Sequence, residues 1–314
     1  MDKAQIAVQN LIKIFPNEPL LFNISGACYS ETGPTELAIE NFKKAISIKI
    51  DYAEAQYNLG VAYQKTNQLD SAAEYYELAI NSQHAYPTAH NNLGIIFLRK
   101  GQIDFAVKCF EWAIAYSPNY AEAHNNLGSA FQELGQFEKA KKEFEKATSL
   151  NQNYDQAFHN LGILCEIINL PKEAINHYEK TLEINPEFAE AYRNLSKIKT
   201  FKSKDKQIAQ MQSLSSKNNL NLFDKTRLSF ALAKANKDLG SIDKYFKFLN
   251  EGNKLRKQEL NYSFDQSKNF HSELIKIFNS LQPVINEAQS NSPNIKPIFI
   301  VGMPRSGTTL VEQI

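Results

Sequence analysis

Small and apolar residues recur along this chain at helical spacing, and the helical pattern itself repeats every 34 residues. Gly26, Gly60, Gly94, Gly128 and Gly162 stand 34 apart. Twelve residues beyond each comes Ala38, Ala72, Ala106, Ala140 and Ala174. Sixteen beyond comes an aromatic ring: Phe42, Tyr76, Phe110, Phe144 and Tyr178. Nineteen beyond comes Ala45, Ala79, Ala113 and Ala147, then a lapse to Thr181. A period of this size means stacked supersecondary units, none of which can bury its apolar face alone. The pattern predicts two short antiparallel helices per unit, with glycine and alanine on one facing aromatic knobs on the other.

That arrangement resembles the tetratricopeptide repeat, which implies a mainly α fold, a superhelix of helical hairpins. Extended backwards, the register puts Ala4, Val8, Leu11 and Pro16 on a second helix and its terminal proline, so residues 1–18 read as half a repeat. Residues 19–200 then hold five full repeats and a sixth first helix, marked by Asn194, Leu195 and Ser196. A basic stretch follows, with Lys197, Lys199, Lys202, Lys204 and Lys206 on a solvated helix face and linker. Residues 201–285 keep helical periodicity without the repeat signature. Within them, Phe230 to Gly252 reads as a degenerate hairpin, with Ala233 at the glycine position and Gly240 in the turn. A further helix is predicted from Ser272 to Leu281. The polar, turn-rich run over 286–296 is a linker.

The last residues carry a different pattern. Ile298, Phe299, Ile300 and Val301 predict a buried strand, Gly302 to Thr309 a small-residue loop, and Leu310 to Ile314 a helix start. A strand that feeds such a loop at a helix N-terminus forms an anion site, because backbone N–H groups and the helix dipole converge there. Gly302, Gly307 and Thr309 match nucleotide P-loop spacing, but Thr308 stands where that loop has lysine. The loop's single cation is Arg305. PRSGTT after a hydrophobic strand resembles the 5′-phosphosulfate loop of sulfotransferases, especially the tyrosylprotein branch. The order of segments also resembles bacterial proteins that fuse tetratricopeptide arrays to a sulfotransferase.

The resemblance implies 3′-phosphoadenosine 5′-phosphosulfate as co-substrate and no metal. It implies Arg305 as the catalytic cation, with Ser306, Gly307, Thr308 and Thr309 as donors to the 5′-phosphate. Residues 297–314 would then be the first strand, loop and helix of a truncated α/β, P-loop-like sulfotransferase domain. The base and the 3′-phosphate site would lie beyond residue 314, and this segment alone would be inactive, its strand unpaired.

Composition narrows the partners. Net charge is +1, from 35 basic and 34 acidic residues, so no global field favours nucleic acid or membrane. No run reaches eighteen apolar residues, and Cys28, Cys109 and Cys165 are too few and scattered for a disulfide framework. A cytoplasmic setting is expected, with the three thiols as small core fillers. His90 and His124 are expected to stand in for aromatic residues on first helices rather than to share a metal, and Trp112 to lie in the core. One further series stands out: Asn58, Asn92, Asn126, Asn160 and Asn194 repeat every 34 residues on the first helices. First helices line the concave surface of such arrays. A side-chain amide offers donor and acceptor together, which matches the backbone of an extended polypeptide. The expected function is sulfuryl transfer to an acceptor hydroxyl, with the array holding a polypeptide. The alternative is a non-catalytic protein-interaction scaffold.

Overall fold

The computed structural model describes residues 3–280, apart from Asn218 and Tyr262 and from the side chains of Thr32, 264–267 and 277–280. The predicted linker over 286–296, the strand over 298–301 and the loop over 302–309 lie outside the described residues. Among those described there are sixteen α-helices and no strand. They fall into two units divided after Leu260.

The first unit opens with α1 (Lys3–Ile14), the second-helix half of a repeat. Five hairpins follow: α2 (Pro19–Thr32) with α3 (Thr35–Ile48), α4 (Ala53–Lys65) with α5 (Leu69–Ser82), α6 (Pro87–Arg99) with α7 (Ile103–Tyr116), α8 (Ala121–Glu133) with α9 (Phe137–Leu150), and α10 (Asp155–Ile167) with α11 (Pro171–Ile184). Proline at the start of α2, α6 and α11 occupies a position whose N–H would have no helical partner. Four of the hairpin turns place one residue in the left-handed region: Asn67, Gly101, Gly135 and Asn169, with φ of 59, 71, 70 and 58°. Glycine and asparagine are the residues that adopt this conformation at least cost.

The 34-residue signature is the hairpin interface. A β-carbon added at Gly162 would lie 2.4 Å from the Tyr178 ring, and one at Gly94 would lie 2.6 Å from Phe110. The rings of Phe42, Tyr76, Phe110, Phe144 and Tyr178 are fully buried, as are the alanines twelve residues beyond each glycine. Thr181 fills the lapsed alanine position without leaving a buried hydroxyl unpaired, since its Oγ1 donates to the His177 carbonyl at 3.0 Å. Cys109 and Cys165 are buried fillers, while Cys28 is half-buried. Trp112 departs from expectation. It is 54 % exposed, on the outer side of α7, and stacks with Tyr116 and His90.

Successive first helices approach one another, α2 to α4, α6 to α8 and α8 to α10, more closely than successive second helices do. The stack therefore curves with its first helices on the inside.

The sixth first helix, α12 (Ala189–Ile198), has no second helix of the usual kind. A short helix, α13 (Lys206–Ser215), intervenes, and α12 packs against α14 (Leu222–Asp238), which pairs with α15 (Ile242–Glu259). The α14/α15 hairpin is the degenerate unit, and its turn residue Gly240 has φ +71°. Its interlock is inverted, because the ring of Phe230 on the first helix lies against Gly252 on the second, 3.1 Å from a β-carbon placed there. In the basic stretch Lys199 pairs with Glu179 at 2.8 Å, while Lys202 and Lys204 are exposed. The second unit contributes α16 (Phe264–Ser280), which begins earlier than the predicted Ser272.

Replacing a helix-interior glycine by alanine ordinarily favours the helix by about 1 kcal/mol. At Gly162 the new carbon instead meets a ring with nowhere to go, and overpacking of that kind costs about 1–3 kcal/mol. Gly162→Ala is therefore expected to lower the urea midpoint of the array. A midpoint equal to or above that of the wild type would contradict the interlock.

Candidate functional site

The inner face of the array is built from positions that recur on the first helices. Each ladder asparagine projects from this face, and each spends an N–H on the preceding repeat. Asn58 donates to Asn23 Oδ1 at 3.0 Å, Asn126 to Asn91 Oδ1 at 2.9 Å and Asn160 to Asn125 Oδ1 at 2.9 Å. Asn92 donates to the Tyr57 hydroxyl at 3.1 Å, and Asn194 lies 3.1 Å from His159 Nε2. The acceptors Asn23, Tyr57, Asn91, Asn125 and His159 form a second series at the same 34-residue interval. The ladder is thus a polar seam between repeats.

The seam does not exhaust the ladder. Each amide carries a second N–H and a carbonyl, and Asn58, Asn92, Asn126 and Asn160 remain partly exposed. Asn194 differs, because it is 4 % exposed and its Oδ1 already accepts from Lys197 Nζ at 2.7 Å.

A third series seals the seam. The residue just before each first helix from α4 to α12 is aromatic: Tyr52, Tyr86, Tyr120, Tyr154 and Phe188. The Tyr86 ring lies 5.1 Å from that of Tyr57, and the Phe188 ring 4.7 Å from that of His159. Burial pushes the Tyr86 and Tyr154 phenols up to about 12 and raises Tyr120 as well, so each stays a neutral hydroxyl. Sequence reasoning missed the acceptor and aromatic series. Both were marked by their 34-residue interval, but the acceptors change identity from repeat to repeat and carry no single-residue signal.

Between α4 and α6 the inner face opens into a hollow of about 370 Å³ lined by Tyr57, Val61, Gln64, Lys65, Asn92 and Arg99. Lys65 and Arg99 are exposed at its rim. Other hollows lie on the outer side between second helices. One of about 520 Å³, between α7 and α9, contains His124, whose Nδ1 is 2.7 Å from Glu143 Oε2 and whose Nε2 is 3.1 Å from the Pro118 carbonyl. His90 occupies the equivalent position one repeat earlier, with its Nε2 3.2 Å from the His84 carbonyl. Each imidazole is thus held by a loop carbonyl of the preceding connection. Among the described residues no group of three or more His, Cys, Asp or Glu side chains converges as a metal site, and no helix is long and apolar enough to cross a membrane. Arg305, Ser306, Gly307, Thr308 and Thr309 lie outside the described residues.

Comparison with known proteins agrees with this architecture. Profiles described as tetratricopeptide repeat match residues 119–187 and 53–83, and one described as TPR repeat matches 26–67 and 96–135. The five hairpins from α2 to α11 are tetratricopeptide repeats. An uncharacterized protein of Aquifex aeolicus is 32 % identical over 115 residues, a match that spans 36 % of this chain and only 15 % of that protein. Among solved structures, Pseudomonas aeruginosa pilF superposes with a TM-score of 0.54 at 19 % identity, over 74 % of this chain and 97 % of that one. The APC/C Cut9–Hcn1 hetero-tetramer gives 0.59 at 16 %, over 73 % and 46 %. YrrB, described as a TPR protein with an unusual peptide-binding site, gives 0.50 at 20 %, over 59 % and 95 %. These likenesses establish the fold.

His159 makes the seam sensitive to acid. The Asn194 amide donates to Nε2, so the neutral ring carries its proton on Nδ1, which is buried without a partner among the described residues. Burial lowers the imidazole to about 4, while Glu190 and Asp155 pull the other way and Lys197 adds to the drop. Between 6.5 and 4 the unfolded chain takes up a proton that the folded array does not. Stability is therefore fully present above 6.5 and falls as pH drops through this window. Burial shifts His90 and His177 in the same direction. His159→Asn installs the residue found at the equivalent positions 91 and 125 and is expected to flatten the pH dependence of thermal unfolding between 6.5 and 4. An unchanged slope would rule out His159 as a source.

Proposed function

We propose that the chain is a non-catalytic scaffold that holds an extended polypeptide along the inner face of its repeat array. The observation that carries this is the hollow between α4 and α6, where an aromatic ring, an aliphatic side chain, two amides and two exposed cations converge on a solvent-open groove. An extended peptide needs donors and acceptors for its backbone and shallow contacts for its side chains. Polar groups of the partly exposed ladder amides Asn58 and Asn92 supply the former, and Tyr57 and Val61 supply the latter. YrrB, of the same fold, is described as having a peptide-binding site, which supports the reading by analogy of fold. A cytoplasmic setting goes with it.

Replacing the ladder asparagines would also loosen the repeats, so the test belongs at the rim. The double variant Lys65→Ala, Arg99→Ala is expected to bind an unstructured peptide library about tenfold more weakly than the wild type, as loss of two charge-assisted contacts implies. Lys139→Ala, on α9 beside the outer hollow, should leave binding unchanged. Equal affinity in all three proteins would remove the groove from consideration.

A second reading rests on the sequence from Ile298 to Thr309. It assigns the chain to the array end of a sulfotransferase that takes 3′-phosphoadenosine 5′-phosphosulfate, with Arg305 bridging anionic oxygens through its planar guanidinium. Ser306, Gly307, Thr308 and Thr309 would donate to the 5′-phosphate, and charge developing on the leaving oxygen is what such donors stabilise. In a protein carrying this segment with its continuation, Arg305→Ala should cut nucleotide affinity at least tenfold. Undiminished affinity, measured calorimetrically with 3′-phosphoadenosine 5′-phosphate, would dismiss this reading and leave the scaffold untouched.

A further inference from the structure

At the α12 end of the inner face, the seam gives way to a cluster of cations. Arg193 stands on α12 at the position held by the acceptors Asn23, Tyr57, Asn91, Asn125 and His159 in the preceding repeats. It has no ladder asparagine to receive, and its guanidinium lies 5.2 Å over the Phe230 ring of α14. Around it, Glu190, Lys197, Arg227 and Arg256 complete a hollow of about 240 Å³ whose floor is Phe230.

The charges in this hollow do not balance. Arg227 is paired with Glu190 at 2.7 Å and with Glu259 at 3.3 Å, and Arg256 with Glu259 at 2.9 Å. Two carboxylates thus serve two guanidinium groups. Lys197 donates to the neutral Asn194 amide, and Arg193 forms no ion pair among the described residues. The cluster thus carries two more positive than negative charges, with Arg193 half-buried and Lys197 exposed. Burial draws the Arg193 pKa below its ordinary value; Glu190 offsets part of that and the Arg227 charge adds to it. A guanidinium held over an aromatic ring by cation–π attraction keeps N–H donors for a planar acceptor such as carboxylate.

We propose that this pocket receives an acidic side chain of the polypeptide held in the groove, with Arg193 as its principal contact and Lys197 as the second charge. The proposal rests on the scaffold reading and adds a chemical preference to it. Arg193 and Lys197 stand four repeats beyond Tyr57 and Val61 of the hollow between α4 and α6, at the same positions of a first helix. A peptide following the inner face meets the ladder amides with the rim cations Lys65 and Arg99, and at the α12 end Arg193 and Lys197. Arg227 and Arg256, already paired, hold the walls rather than bind.

The test uses the whole chain and two fluorescein-labelled dodecapeptides of Gly and Ser, one with glutamates at alternating positions and the other with glutamines there. Anisotropy titration is expected to show the glutamate peptide binding about tenfold more tightly, an advantage that shrinks as salt rises. Arg193→Gln should sharply reduce that advantage while leaving affinity for the glutamine peptide unchanged, and an undiminished advantage would overturn the role given to this pocket. Arg193→Lys should restore part of it, because the charge returns without the planar fork. Thermal unfolding of each variant separates loss of the pocket from loss of the fold, and Lys197→Gln, which does not touch Phe230, supplies a second reading of the same charge. Equal binding of the two peptides would overturn the acidic preference and leave the groove standing. Binding of neither peptide would overturn both. Displacement of the glutamate peptide by a thymidine dodecamer at lower concentration than by unlabelled peptide would overturn it in favour of nucleic acid.

Discussion

The missing β-carbons at Gly26, Gly60, Gly94, Gly128 and Gly162 set the geometry on which the rest of the array depends. An aromatic ring from the second helix presses onto the backbone of the first, at a distance that no larger residue permits. The two helices of each hairpin therefore meet at one separation and one angle, and the buried alanines close the remainder of the contact. Because every hairpin has the same internal geometry, each stacks on the next by the same operation. Positions 34 apart in sequence then become neighbours in space. The stability of such an assembly is close to a sum of unit and interface contributions, so a local fault weakens one joint rather than erasing one core.

The asparagine seam is what that repetition makes possible. A donor at one position always finds an acceptor 35 residues earlier, and the acceptor can be an amide, a phenol or an imidazole without altering the spacing. Hydrogen bonds of this kind contribute only about 1 kcal/mol each. Their role is orientation, because they fix how one first helix is turned relative to the last, while burial of the rings and alanines supplies most of the cohesion. A polar seam also suits a face open to water on one side, where an apolar stripe of equal length would remain partly exposed. The same amides therefore join repeats and present polar groups to the groove.

Much of this was legible in the chain itself. The glycine, alanine and aromatic intervals define the five hairpins and their interlock, because each is a one-residue requirement repeated in register. The asparagines were legible as a series on the inner face but not as a seam, since the sequence gives the side of the helix and withholds the partner. Trp112 was misplaced for a related reason. Hydrophobic identity suggests the core, whereas its position on α7 leaves it 54 % exposed, stacked with Tyr116 and His90. The inserted α13 breaks the interval, so no spacing argument reaches across it. The inverted pair Phe230 and Gly252 escaped because the signature was sought with its glycine on the first helix. Cationic character around Arg193 was invisible for the same reason: its members come from α12, α14 and α15, beyond the last regular unit.

That irregular end gives the groove a direction. Through five hairpins the repeated operation presents nearly the same surface each time, and a ligand lying on it would have little reason to choose an orientation or a register. At α12 the translation stops, because α13 displaces the usual second helix and the next hairpin interlocks the other way round. The acceptor position there is filled by a guanidinium, which cannot accept, so the seam must end at Asn194 and the charge must find another use. A repeat array acquires specificity where its symmetry fails. In this protein the failure gathers Arg193 and Lys197, beyond what Glu190 and Glu259 balance, at one end of a polar face.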